Sequence, residues 1–94
     1  MRLRYTARAL AEIEELQDYI AFYNPAAAVR TADAIRAQLA RLISHPNKGR
    51  AGRVSGTREL VVSGTRYIVP YRIEGSTAVV LAVIHSSQDW PDAF

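Results

Sequence analysis

The chain has no cysteine and only two histidines, His45 and His85. Without cysteine there can be no disulfide, no thiolate metal site and no cysteine nucleophile, and the composition fits a reducing compartment. The two histidines form neither HxxxH nor HExxH, and no carboxylates cluster at ligand spacing, so no metal site is expected. The glycines at 49, 52 and 56 open no GK[ST] sequence and no GxGxxG is present, which removes support for nucleotide binding. No serine stands in a nucleophile elbow. No cofactor is expected. Long apolar runs are also missing: nothing approaches the roughly 20 residues that cross a bilayer. The start, MRLRYTARAL, lacks the apolar segment of a signal peptide, so the expected location is cytoplasmic, with no membrane partner.

What the chain does contain is an ordinary globular composition, 49% hydrophobic against 22% charged in 94 residues. That length suits one domain, residues 1–94, with a thin stability margin that a bound partner would widen. The net charge of +3 is unevenly spread. Residues 1–40 balance five arginines against five acids, residues 73–94 carry three acids and no lysine or arginine, and residues 41–72 hold seven cations against Glu59 alone, a net +6. Six of those seven are arginines, with Lys48 the only lysine. Arginine grips phosphate or carboxylate bidentately, so the middle third suits a polyanionic or acidic partner; a solvated basic surface is the plainer alternative.

Residues 2–5 alternate polar and apolar as a short strand does. Thr6 stands as an N-cap ahead of a helix over about Ala7 to Tyr23, with Leu10, Ile13, Leu16, Ile20 and Tyr23 on one stripe and Glu12, Glu15 and Asp18 facing water. Asn24-Pro25 starts a second helix, with a stripe of Val29, Ala32, Ile35, Leu39 and Leu42, that stops before His45-Pro46. Residues 47–56 read as a loop. Three strands follow, Thr57–Val62, Arg66–Ile73 and Thr77–His85, joined by Ser63-Gly64 and Glu74-Gly75 turns. Pro70 cannot donate to a ladder and predicts an edge or a bulge. The tail from Ser86 is anchored by Trp90. The expected fold is α+β: an N-terminal strand, an antiparallel helical hairpin and a three-stranded antiparallel meander, with both helices on one sheet.

Only the arginines with His85 could act on phosphate. Metal-free RNA cleavage needs a group to take the 2′-OH proton, a cation for the phosphate and an acid for the leaving oxygen. In an unbroken hairpin through Glu74-Gly75, Arg66 and His85 are neighbours. A histidine ending a strand is equally well a hydrogen-bonded rim residue. His45 reads as a helix-end cation or turn residue. Tyr67 and Tyr71 read as packing rather than base-stacking residues. Trp90 is a packing anchor or, if exposed, an interface residue.

Over nearly its whole length the chain resembles the RelE/ParE toxin superfamily. The resemblance rests on ALAEIEELQDYIA in the first helix, the Asn24-Pro25-Ala26-Ala27 junction, LISHPNKGRAGRV, GTRELVVSGTRYIVPYRI and the closing VIHSSQDWP. It implies the toxin of a bacterial type II toxin–antitoxin pair, held in a hetero-oligomeric complex by a cognate antitoxin. RelE-like members cleave mRNA on the ribosome and ParE-like members poison DNA gyrase. Arg66 matches the strand arginine of the nucleases and His85 a terminal-strand histidine of some of them. The paired lysines of those nucleases have no counterpart here, and no tyrosine follows His85. The implied reading is therefore ParE-like inhibition of gyrase, with an mRNA endoribonuclease using Arg66 and His85 as the alternative. Arg50, Arg53, Arg58, Arg72 and Trp90 are the candidates for target or antitoxin binding.

Overall fold

A computed structural model describes residues 1–94. Strand β1 (Arg2–Tyr5) leads into helix α1 (Ala7–Tyr23) and helix α2 (Pro25–Ala40), which ends in a single 3-10 turn over Arg41–Ile43. Thr6 caps α1 by accepting from the Ala9 amide at 3.1 Å. Asn24 alone joins the helices, closing α1 through its own amide to the Ile20 carbonyl and opening α2 by accepting from the Ala27 amide at 3.1 Å. Pro25 follows at the first helical position, where its missing N–H costs nothing.

The buried stripe of α1 is Ala9, Ile13 and Leu16, with Ile20 packed at its margin. Leu10 and Tyr23, expected on that stripe, are exposed. The Thr6 hydroxyl donates to the Leu81 carbonyl at 3.0 Å and holds the first turn hard against the sheet, where alanine permits the close approach. In α2 the stripe is Ala28, Ala32, Ile35 and Leu39, continued by Leu42, and Val29 faces outward instead.

Five further strands complete the sheet: β2 (Arg50–Ala51), β3 (Arg58–Val61), β4 (Tyr67–Glu74), β5 (Thr77–Val80) and β6 (Ile84–His85). The order is β1-β5-β4-β3-β2, with β6 also pairing β4. All neighbours are antiparallel except β1 and β5, because the helical hairpin carries the chain back over the sheet before β5 is laid beside β1. Two expectations change. The loop over 47–56 contains β2, a short edge strand. The expected strand Thr77–His85 is two strands separated by a bulge.

The bulge decides where His85 lies. Tyr71 pairs with Val80, yet Ile68 pairs with Ile84, so Val69 and Pro70 face three residues, Leu81 to Val83. The slip falls where Pro70 has no N–H to give, and Pro70 sits in a central strand rather than at an edge. A one-residue slip reverses which face each following side chain takes. Ala78 and Val80 join the core on the helix side before the bulge, and Val83 joins it after. His85, two residues on, therefore faces the helices. Strand β4 keeps its alternation, with Tyr67, Val69 and Tyr71 all toward the core.

The bulged backbone is paid for by polar partners drawn from α1 and β4. The Leu81 amide donates to the Pro70 carbonyl at 3.0 Å, and the Val83 amide donates to Glu12 Oε1 at 3.0 Å. Glu12 is thus a structural acceptor and not a water-facing charge. Beneath the helices lies a continuous core that includes Ile13, Leu16, Ile35, Leu39, Val69, Tyr71 and Val80. Full burial stabilises each large aliphatic side chain by about 1.5–3 kcal/mol.

Candidate functional site

Between α1 and β6 the sheet opens into a groove of about 410 Å³. Its floor is Leu16 and Val83; its walls are Tyr19 and Tyr67; Glu12 and Glu15 stand on the helix side and His85, Ser87 and Gln88 on the strand side. No arginine or lysine lines it. The imidazole of His85 packs edge-on to Tyr67, with ring centroids 5.3 Å apart. Burial pushes the Tyr67 hydroxyl above its ordinary 10.0, reinforced by the neighbouring Tyr19 hydroxyl, so Tyr67 is a neutral donor across the physiological range.

The tautomer of His85 follows from its partners. Its Nδ1 accepts from the Ser87 amide at 3.1 Å, and the Ser87 hydroxyl lies 2.7 Å from the same nitrogen. A backbone N–H can only donate, so Nδ1 is the unprotonated nitrogen and Nε2 carries the proton in the neutral ring. The lone pair that a general base would use is occupied by the chain itself. Gln88 reinforces the geometry, its Oε1 accepting from the His85 amide at 2.7 Å.

Arg66 does not share this groove. Its carbonyl accepts from the Ser86 amide at 2.7 Å, which makes Arg66 the backbone neighbour of Ser86, while His85 pairs with Tyr67. The Arg66 side chain is exposed and forms no ion pair. The residues that do surround His85, Glu12, Glu15 and Tyr19, are spaced three and four apart along α1, which marks one edge of the helix. That spacing is visible in the sequence, but only the bulge brings β6 against it.

Two other arginines, Arg50 and Arg53, cluster on Glu59, which is 2% exposed. Arg50 donates through Nε and Nη2 to Glu59 Oε1 at 3.2 and 3.0 Å. Arg53 donates its backbone amide to Oε2 at 2.7 Å, its Nε to Oε2 at 3.1 Å and its Nη2 to Oε1 at 3.1 Å. Burial pushes the Glu59 carboxyl up, but these donors from Arg53 and Arg50 outweigh it and hold the group below the usual carboxylate range. The Arg53 guanidinium stacks 3.8 Å above the Trp90 ring, so Trp90 anchors the tail. Its Nε1 is buried without a partner.

Arg58 clamps the loop before β2 by donating to the Gly49 carbonyl at 2.9 Å and the Asn47 carbonyl at 3.3 Å. Arg72 and Arg58 share a second hollow of about 260 Å³ with Thr57 and Gly56. Arg72 forms no ion pair there. The sheet thus gathers Arg50 and Arg53 around one buried acid, sets Arg58 and Arg72 beside each other, and leaves Arg66 apart.

A sequence model of the family described as the ParE toxin of the type II toxin–antitoxin system, parDE, matches residues 3–90. The chain is 41% identical over 90 residues to Y4kP of Sinorhizobium fredii, covering 96% of this chain and 93% of that protein. It is 30% identical over 84 residues to Toxin RelE2 of Caulobacter vibrioides, covering 89% and 93% respectively. Among solved structures, the chromosomal ParDE toxin–antitoxin system from P. aeruginosa superposes with a TM-score of 0.83 at 24% identity, over 90% of this chain and 95% of that one, and shares the fold. Membership of this family implies an antitoxin partner. The chain belongs to the ParE family and is the toxin of a type II toxin–antitoxin system.

Proposed function

We propose that this toxin stops growth by binding and inhibiting DNA gyrase in the cytoplasm, and that it does so without cleaving RNA. The observation that carries the reading is the character of the groove around His85. Two carboxylates and no cation line it, and Arg8 pairs with Glu12 alone, so Glu15 is left without a counter-charge and a phosphodiester entering there meets no cation to stabilise it. The His85 lone pair is engaged by Ser87, and Arg66 stands outside the groove. An RNA-cleaving site needs the reverse of each feature. A binding toxin needs none of them; it needs a presented surface, for which Arg72 and the outward edges of Arg50 and Arg53 supply positions fixed by the sheet and by Glu59.

The antitoxin closes the toxin in a hetero-oligomeric complex, with its acidic groups toward these arginines. The test is direct. Purified toxin, freed of antitoxin, is added to gyrase supercoiling and cleavage-complex assays and to cell-free translation. Loss of supercoiling with translation intact is expected. Arrested translation with cleaved mRNA and untouched gyrase would overturn the proposal in favour of the endoribonuclease reading based on Arg66 and His85.

A further inference from the structure

We infer that the groove between α1 and β6 is a receptor for one basic side chain, an arginine or a lysine, presented by a helical segment of the antitoxin. The inference rests on the antitoxin partnership that the family implies, and not on the identity of the target.

The chain carries a net +3, yet this groove is lined by Glu12 and Glu15 and by no cation, and the one cation that reaches either acid, Arg8, pairs with Glu12 and leaves Glu15 uncompensated. It is an electronegative hollow on a basic protein, so it attracts the charge that the rest of the surface repels. The two carboxylates are also prepared for the role in different ways. Glu12 is held in place by the Val83 amide and by Arg8, whose Nε lies 3.4 Å away, so its position is set before any partner arrives. Glu15 is exposed and forms no ion pair within the chain. One acid is fixed and the other is unsatisfied.

The remaining surface suits a long basic side chain better than a free ion. Leu16 and Val83 make an apolar floor for the methylene stem, while the Tyr19 and Tyr67 rings offer faces and edges to the charged head. Tyr19 also ties the groove to a neighbouring apolar ridge. Its ring meets Tyr23 at 5.6 Å, and Tyr23 meets Phe22 at 5.1 Å. Phe22 and Tyr23 are 83% and 72% exposed, far more than large aromatics need be in a chain with core to offer. Anchor and charge site therefore lie along one helix. Tyr23 lies eight positions after Glu15, roughly 12 Å at a rise of about 1.5 Å per residue. A partner helix laid along α1 would carry apolar residues over Phe22 and Tyr23 and its basic residue about two turns away, over Glu15. The antitoxin then meets both signs on the toxin: acidic groups against the arginines, and one base in this groove.

The test measures the affinity of the purified cognate antitoxin for wild-type toxin and for Glu15→Gln, Glu15→Arg and Tyr19→Ala, each checked for unchanged thermal unfolding, with Glu14→Arg as a control that places the same charge change on α1 outside the groove. The Glu15→Arg variant is expected to bind roughly tenfold or more weakly, Glu15→Gln and Tyr19→Ala less severely, and Glu14→Arg within about twofold of wild type. An antitoxin variant with one Lys or Arg replaced by Glu should recover affinity for Glu15→Arg and for no other variant. The inference is overturned if Glu15→Arg binds like wild type, if Glu14→Arg is as harmful, or if no antitoxin charge reversal rescues. It is also overturned if Glu15→Arg spares antitoxin binding and abolishes gyrase inhibition, since the groove would then serve the target. Gyrase inhibition by the wild-type toxin is read separately, so a wrong target would leave the antitoxin series standing.

Discussion

The Leu81 amide donates to the Pro70 carbonyl at 3.0 Å, and beyond that bond the β4 pairing shifts by one residue. Through this shift a proline without a donor determines the face on which a histidine fifteen positions later is displayed. The shift is stable because α1 and its N-cap supply the missing partners, Thr6 for the Leu81 carbonyl and Glu12 for the Val83 amide. Glu12→Ala is expected to cost about 1–3 kcal/mol, the penalty for a buried donor left without an acceptor, while Glu12→Gln keeps an oxygen in place and costs less. Hydrogen exchange at the Val83 amide reads the effect locally and should accelerate in the alanine variant. Unchanged exchange there would mean that another acceptor holds the bulge.

Thr6 serves two elements at once, so its replacements should separate sharply. Serine retains the hydroxyl that caps α1 and donates to Leu81; valine keeps the shape and loses both bonds. Thr6→Val is expected to destabilise by roughly 1–3 kcal/mol and Thr6→Ser by well under 1, measured by urea unfolding. A larger loss for Thr6→Ser than for Thr6→Val would place the role of Thr6 in its methyl group.

Glu59 makes the fold sensitive to acid. Its folded carboxyl titrates below the unfolded value, so the stability it contributes is present at neutral pH and is lost as the pH falls through the folded value, below the ordinary 4.5. Glu59→Gln should cost about 2–3 kcal/mol at pH 7, because charge-assisted bonds to two arginines and to a backbone amide are weakened together. For a domain of this size that is a fall in Tm of roughly 10 °C or more. The gap between the two proteins should narrow as the pH is lowered toward 3, and a gap that stays constant would show that the charge of Glu59 is not the source.

Tyr71 sets the alkaline side. It is fully buried, and its hydroxyl donates to the Pro46 carbonyl at 2.6 Å while accepting from the Gly49 amide at 2.9 Å. Burial raises its ionisation above 10.0, with the Gly49 amide and Arg58 opposing. The stability it adds is therefore intact below pH 10 and is lost as the pH rises through the folded value. Tyr71→Phe strands both partners and should cost about 1–3 kcal/mol at neutral pH. Gly49→Ala attacks the same contact from the other side, since a Cβ there would lie 2.6 Å from the Tyr71 ring. The two substitutions together should cost less than their sum.

Much of this molecule can be read from sequence. Thr6, Asn24 and Pro25 mark helix boundaries because capping is local chemistry, and Gly64 and Gly75 take the positive φ of 80° and 58° that their turns require. Pro70 also announces an irregularity. What the sequence does not reveal is which strand absorbs it. The extra residue is accommodated by Leu81 to Val83 because α1 can satisfy their backbone there, a long-range condition with no local signature. The same applies to Glu59: it reads as one acid among seven cations, and only the approach of β2 to β3 turns it into the residue that orders Arg50 and Arg53. Leu10, Tyr23 and Val29 fit the apolar period of their helices and are nevertheless exposed, since periodicity gives a stripe but not its centre.

The bulge also sets the positions of the two residues on which the mechanisms left open by the sequence differ. With the register of β4 and β5 carried straight through, Arg66 would stand opposite His85 on one face, as cation and proton carrier for RNA cleavage. The observed register sets Tyr67 opposite His85, and Arg66 lies outside the His85 groove. If the toxin acts by binding gyrase, neither residue performs chemistry, and Arg66→Ala and His85→Gln should each arrest growth on induction at close to wild-type toxin levels, with DNA damage as the accompanying response. The double variant should behave as the single ones do. A nuclease would instead lose on the order of 10²-fold or more in rate with either residue, as removal of a proton-transfer or charge-stabilising group does. Folding controls by thermal unfolding separate that loss from instability, and recovery of growth by either well-folded variant, with mRNA intact, would return Arg66 and His85 to a catalytic role.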